Sequence, residues 1–278
     1  MADKDKKFSE GFLFSGKDLK LAEGIYVKHP TIEDILSFTG DENSFSIYYS
    51  LASLLMCDPY EYMVMLDDMG IDYSTQDYFD VFLMQWKRCW DNYKANPEMF
   101  EQNHISPVYN IVIALCFFLG EHQFDVQNLR YENGEVKPVV VDLNSIKDNK
   151  CGYIIDRNMF NRMAEFISAI NCVDKSKQIH PKNDSYKKML IDDMRDEIKK
   201  QSKKKNNNSN YGEYIGNIMR AVCFCGNGSI SVFNVNQCHI YPLLKGFNMF
   251  IKKDNVDHLM NGQYDLSKIS KNELNWLE

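Results

Sequence analysis

The residues of this chain best suited to chemistry are two adjacent acid pairs, Asp67-Asp68 and Asp192-Asp193. Paired carboxylates can hold a divalent cation for phosphoryl transfer or hydrolysis. That chemistry also needs a phosphate cradle or further ligands at fixed spacing, and neither accompanies these pairs. Gly226-Asn227-Gly228-Ser229 lacks the lysine and the strand–helix context of a phosphate loop. The six histidines, at 29, 104, 122, 180, 239 and 258, include no i, i+4 pair and no HExxH arrangement. Asp257 and His258 are neighbours, but adjacent residues of a helix face different ways, so His258 fits a surface or capping role. There is no GxSxG elbow, and no cysteine is matched with a histidine as an activated nucleophile. The expectation is a chain with no catalytic residues, no cofactor and no metal. A metal-dependent enzyme built on the two acid pairs is the remote alternative.

Eight cysteines stand at 57, 89, 116, 151, 172, 223, 225 and 238. Most sit in apolar contexts such as Leu115-Cys116-Phe117, where a free thiol is a small hydrophobe. Met1 to Lys7 is charged and has no apolar segment of a secretory signal, so a reducing compartment without disulfides is expected. Cys223 and Cys225 would share one face of a strand, but they are too close for a zinc knuckle and no second pair has ligand spacing.

The net charge of −7 argues against a dedicated nucleic-acid binder, which needs a basic face to neutralise phosphate. The longest apolar run, Val108 to Leu119, falls short of the roughly 20 residues of a membrane span and reads as a buried core element. With 44% hydrophobic residues over 278 positions, the chain can bury a large core in one domain or two small ones.

The pattern predicts an α+β fold, mainly helical, with an N-terminal β-arm, a helical unit, a central β-hairpin and C-terminal helices. Residues 1–29 form the arm, with Phe12, Phe14, Leu19, Leu21, Ile25 and Val27 punctuated by glycines. Residues 30–96 form the helical unit. Thr31 caps its first helix, with Glu33 and Asp34 in the first turn, and Asn43 or Ser44 caps the second. The third runs from Tyr60 to a stop at Gly70, and Ser74 or Thr75 caps the fourth, which carries Tyr78, Phe79, Phe82, Leu83 and Trp86 at helical spacing. Residues 97–278 form the remaining α+β region. The run 108–119 leans to helix, and Asn133-Gly134 between 124–131 and 136–143 marks a hairpin. Asp156 caps a helix with Phe160, Met163, Ala164, Ile167 and Ile170 on one face. A charged helix covers 184–202, a Lys/Asn loop 199–210, and a helix starts at Tyr211. Ser231-Val232-Phe233 reads as a short strand, and Asn236 caps a helix over 237–253. A Gly262 stop and a closing segment carrying Trp276 follow.

The helix over 75–91 has aromatics around much of its circumference. With the core side supplied by Tyr78, Phe79 and Phe82, the pair Trp86 and Trp90 drifts off that face. Surplus aromatic surface is the mark of a protein-binding face, so Trp86, Trp90, Tyr78 and Phe82 are the candidate interface.

Two blocks resemble a family of tail-region proteins of tailed phages from Gram-positive hosts. One is Gly24-Ile25-Tyr26-Val27-Lys28-His29-Pro30-Thr31-Ile32-Glu33-Asp34-Ile35-Leu36, followed by an aromatic-rich helix and Gly70-Ile71-Asp72-Tyr73. The other is Asp257-His258-Leu259-Met260-Asn261-Gly262 with the Leu274-Asn275-Trp276-Leu277 ending. The resemblance implies a non-enzymatic tail morphogenesis protein, chaperone-like, whose partners are other phage tail proteins, and it leaves self-association open. It brings no catalytic residues, and it implies the host cytoplasm during assembly. The alternative it leaves open is a tail or baseplate subunit retained in the virion.

Overall fold

The computed structural model describes residues 8–39, 44–96, 98, 107–119, 122–123, 131–132, 135–136, 141–142, 156–173, 178, 181, 183–203, 211–225 and 230–261. Outside them lie the Asn133-Gly134 turn, the stretch 204–210, the turn at 226–229, and 262–278 with Trp276. The described residues are mostly helical, as expected, with short antiparallel strand pairs.

The N-terminal region departs from an extended β-arm by opening on a short helix. Ser9 accepts from the Phe12 amide and opens α1, Glu10–Phe14. Local capping here outweighs the glycine-punctuated apolar pattern that suggested an extended arm. The ribbon proper is β1, Leu19–Ala22, and β2, Ile25–Val27, joined at Gly24 with φ +75°. It is packed and does not project: Leu19, Ile25 and Val27 are buried.

Thr31 and Asp34 cap each other at the start of α2, Ile32–Thr39: the Asp34 amide donates to Thr31 Oγ1 at 3.1 Å and the Thr31 amide to Asp34 Oδ2 at 2.8 Å. Then come α3, Ser44–Met56, and α4, Met63–Asp68, which ends at Gly70 with φ +71°. Asp72 caps a single 3-10 turn at Tyr73–Thr75. The long helix α5, Tyr78–Ala95, therefore begins later than expected, and its cap is Asp77 in place of Ser74 or Thr75. The Asp80 amide donates to Asp77 and the Asp77 amide to Asp80, at 2.9 and 3.1 Å.

The apolar run is helix α6, Pro107–Leu119. Two strand pairs follow, β3, His122–Gln123, with β6, Val141–Asp142, and β4, Tyr131–Glu132, with β5, Glu135–Val136. Glu132 stands opposite Glu135, and the Asn133-Gly134 turn expected between them lies outside the described residues. Asp156 caps α7, Arg157–Ile170, by accepting from the Met159 amide, and its buried face holds Phe160, Met163, Ala164, Ile167 and Ile170. The remaining helices are α8, Asp184–Lys203, α9, Tyr211–Cys225, and α10, Ile240–Asn261. The expected cap at Asn236 falls inside a separate 3-10 turn, Val235–Gln237, and α10 starts after it.

Helix α3 is the centre of the packing, touching α2, α5, α6, α7 and α9. Ala52, fully buried on it, leaves room for that approach, while Ser50 and Ser53 bond back to carbonyls four residues earlier. The Tyr48 hydroxyl donates to Asn171 Oδ1 at 3.0 Å at the end of α7, so the one polar tip in that stretch of core is partnered. One core cluster runs from Leu13 on α1 to Leu244 on α10. Among the described residues, no helix is long and apolar enough to cross a membrane.

Candidate functional site

The aromatic face proposed for α5 is core. Phe82 is 1% exposed and Trp86 2%. Phe82 lies 4.4 Å from the Phe160 ring and stacks on Phe79 and Trp86 at 6.5 and 6.2 Å. Residues 79, 82 and 86 are spaced by three and four, so they form one stripe, and Trp86 does not drift off it. That stripe faces α6 and α7. Tyr78 is half-buried against the same core. Trp90 lies on α5, but its side chain is outside the described residues. Trp86 and Phe82 are therefore corrected from interface anchors to core residues.

The most exposed large apolar side chains among the described residues lie elsewhere, at the end of α9 and in the segment that leads into α10. Phe224, at the end of α9, is 74% exposed, and Phe233 is 93% exposed, with Val232 beside it. The expected strand at 231–233 is a turn. The Ser231 amide donates to Asn234 Oδ1 at 2.6 Å, the Phe233 amide to Ser231 Oγ at 3.3 Å, and the Asn234 and Val235 amides to the Ser231 carbonyl at 3.1 and 2.9 Å. A serine and an asparagine three apart satisfy the local backbone themselves, which removes the need for a neighbouring strand. Val235 is the buried anchor of the turn, and Val232 and Phe233 point away from the core. The Ser-x-x-Asn spacing was the sequence signal for this, and the β-prone Val232-Phe233 masked it.

The acid pairs have structural work. Arg195 on α8 donates to Asp68 at 2.7 Å and to Asp67 at 2.9 Å, tying α8 to α4. Asp192 and Asp193 are exposed on α8. A second network joins α5 to α7: Arg157 reaches Asp77 and Asp80 at 2.8 Å each and lies over the Phe79 ring, while Asn161 accepts from the Phe79 amide and donates to Asp77. Burial pushes the Asp77 carboxyl up, but the bonds from Arg157 and Asn161 outweigh it and hold the group below its usual range. Among the described residues, no group of three or more His, Cys, Asp or Glu could hold a metal ion. Cys223 and Cys225 lie on a helix, where residues two apart do not share a face. Burial pushes the Cys57 thiol up strongly and Cys172 up to about 11, so neither is poised as a nucleophile.

The strongest polar anomaly is at a crossing that the sequence did not single out. The strap from Lys28 to Ile32, between β2 and α2, meets the residues that lead into α10. The Ile32 amide donates to the Cys238 carbonyl at 2.9 Å and the Ile240 amide to the Pro30 carbonyl at 3.0 Å, with Thr31 and His239 paired as an isolated antiparallel bridge. His239 Nδ1 donates to the His29 carbonyl at 2.7 Å. The two imidazoles are 4.8 Å apart, and Phe166 of α7 closes the other side at 5.8 Å. His29 is 1% exposed, and neither of its ring nitrogens has a hydrogen-bond partner. Burial first, and the nearby His239 second, depress the His29 pKa from 6.5 to about 4. Gly16 sits under His239 with φ +67°, where a Cβ would collide with the ring.

No protein-family model matches the chain, and no curated protein and no solved structure matches it.

Proposed function

We propose that this chain is a non-enzymatic protein of phage tail morphogenesis that binds another tail component, in the manner of an assembly chaperone acting in the host cytoplasm. The observation that carries the binding role is the turn between α9 and α10, where Phe233 is 93% exposed beside Val232, with Phe224 74% exposed at the end of α9. Large apolar side chains turned outward, Val232 and Phe233 by a hydrogen-bonded turn and Phe224 at a helix end, suit a surface that a partner covers. The phage setting rests on the resemblance of 24–36 and of the 257–277 region to tail-region proteins. The carboxylates first considered for chemistry support the same reading, because Asp67 and Asp68 are held by Arg195.

The test is co-purification with the neighbouring tail proteins, comparing the natural chain with Phe224→Ser and Phe233→Ser. Removing an interface anchor should weaken association by about 1–2 kcal/mol, roughly a five- to thirty-fold rise in Kd. Unchanged association in both variants would sink the reading. Mass spectrometry of purified particles decides between chaperone and virion subunit: stoichiometric presence in the tail or baseplate would replace the chaperone by a structural component.

A further inference from the structure

We propose that the His29–His239 crossing is an acid-sensitive latch, and that protonation of His29 releases the start of α10 from the strap that precedes α2. Three observations of the geometry carry this. First, His29 is a buried base with both nitrogens unpartnered, so an added proton would have no side-chain or main-chain acceptor in reach. Second, the ring it faces at 4.8 Å is another imidazole, which would oppose a cation there and cannot neutralise one. Third, the crossing is the joint between two ends of the chain. It consists of a single bridge, made by two main-chain hydrogen bonds, and the His239 bond to the His29 carbonyl, so it can open without unpicking a sheet.

The groups around it do not supply a counter-charge. From the turn before β1, Asp18 uses Oδ1 on the His29 backbone amide at 2.8 Å, and it is exposed. Lys28 and Asp34, on either side of the strap, are paired with each other at 2.6 Å. On α1 and α10, Glu10 and Lys245 are paired at 3.3 Å, and the nearby Tyr241 phenol is pushed up to about 12 and stays neutral. From α7 the ring meets Phe166, which carries no charge, and the Cys172 thiol at the end of that helix stays protonated. Charging His29 is therefore relieved by exposing it. Opening frees Ile32, Val235 and Ile240, three buried apolar residues at the crossing, and it loosens the 3-10 turn from α2, against which that turn packs.

Amide hydrogen exchange on the full chain tests this between pH 7.5 and 4.5, with rates corrected for the intrinsic pH dependence. Peptides covering 28–35 and 235–245 should open about tenfold more for each pH unit below about 6.5, while α3 and the middle of α7 keep their protection. His29→Leu fills the same apolar site without a base and should remove that acid response. His239→Asn keeps a donor for the His29 carbonyl, and it should leave an acid response in place. An equal acceleration over all helices, or an acid response that survives in His29→Leu, would overturn the latch. Should His29→Leu fail to fold, the ring proton signals of His29 in the natural chain decide instead. A midpoint near 6.5 in the folded protein, with no change of exchange at the crossing, would overturn it, and a strongly depressed midpoint with opening at the crossing would support it.

Discussion

On α5, Phe79, Phe82 and Trp86 are each less than a tenth exposed, whereas between α9 and α10 Phe233 is 93% exposed and Phe224 74%. The two regions are made of the same kind of residue. What separates them is how the backbone is satisfied. On a long helix, a stripe at three- and four-residue spacing points one way for several turns, and here α6 and α7 supply a matching wall. In the 231–234 turn the backbone finds its partners within four residues, so no neighbouring element is recruited to cover the side chains. Aromatic content thus says little about where a binding surface lies. Periodicity identifies the buried stripe, and a self-contained turn identifies the outward one.

The comparison can be broken most forcefully at Trp86. If the α5 stripe is core, Trp86→Ala should lower unfolding stability by about 3–5 kcal/mol, the cost of emptying a large aromatic site. Chemical denaturation measures it, and a loss under about 1 kcal/mol would return Trp86 to the surface. The next effect concerns the buried imidazole. The folded pKa of His29 is about 4 against 6.5 unfolded, so the unfolded chain binds more protons between those values. Stability should be complete above about pH 6.5, fall as pH drops toward 4, and stop falling from this source below 4. The total from this group is about 3 kcal/mol. Denaturation midpoints across that range in the natural chain and in His29→Leu give the difference, and parallel curves would remove His29 as the cause.

A smaller loss is expected for Tyr48→Phe. This change removes the donor to the buried Asn171 side chain and leaves the rest of the ring packed against Phe117 and Phe118. About 1–2 kcal/mol should go, since an acceptor is left unpaired in the core. A neutral result in the same denaturation series would show that water reaches Asn171. The smallest effect sharpens the other side of the comparison. Phe233→Ser should change stability by no more than about 0.5 kcal/mol, because an exposed ring has few contacts to lose. A melt lowered as far as that of Trp86→Ala would mean that the turn is docked.

Much of the helical framework was legible in residue order. Thr31 and Asp34 announce α2, Asp156 announces α7, and Gly70 ends α4, because each acts on amides within a few residues of itself. The readings that failed did so where two local signals competed. Apolar residues punctuated by glycines suggested an extended arm through 8–16, and Ser231-Val232-Phe233 a strand, but Ser9 and the Ser231–Asn234 pair satisfied the backbone first. Asp77 and Asp80 took the cap of α5 from Ser74 and Thr75 in the same way, and those two fell into a separate turn capped by Asp72.

The candidate sites were far less legible. Asp67 and Asp68 read as a metal site only until Arg195, more than a hundred residues away, is seen to occupy both. His29 and His239 are unremarkable in sequence at a separation of 210 residues, and only the crossing of the strap with the entry to α10 makes them neighbours. Sequence alone determined elements whose formation depends on groups a turn apart: the caps at Thr31 and Asp156, the Gly stop at 70 and the apolar stripe of α7. Tertiary structure decided which stripes were buried, which carboxylates were occupied and which histidine lost its water. Those outcomes depend on desolvation and charge from residues distant in the chain, and burial is a property of the whole packing that no local pattern contains.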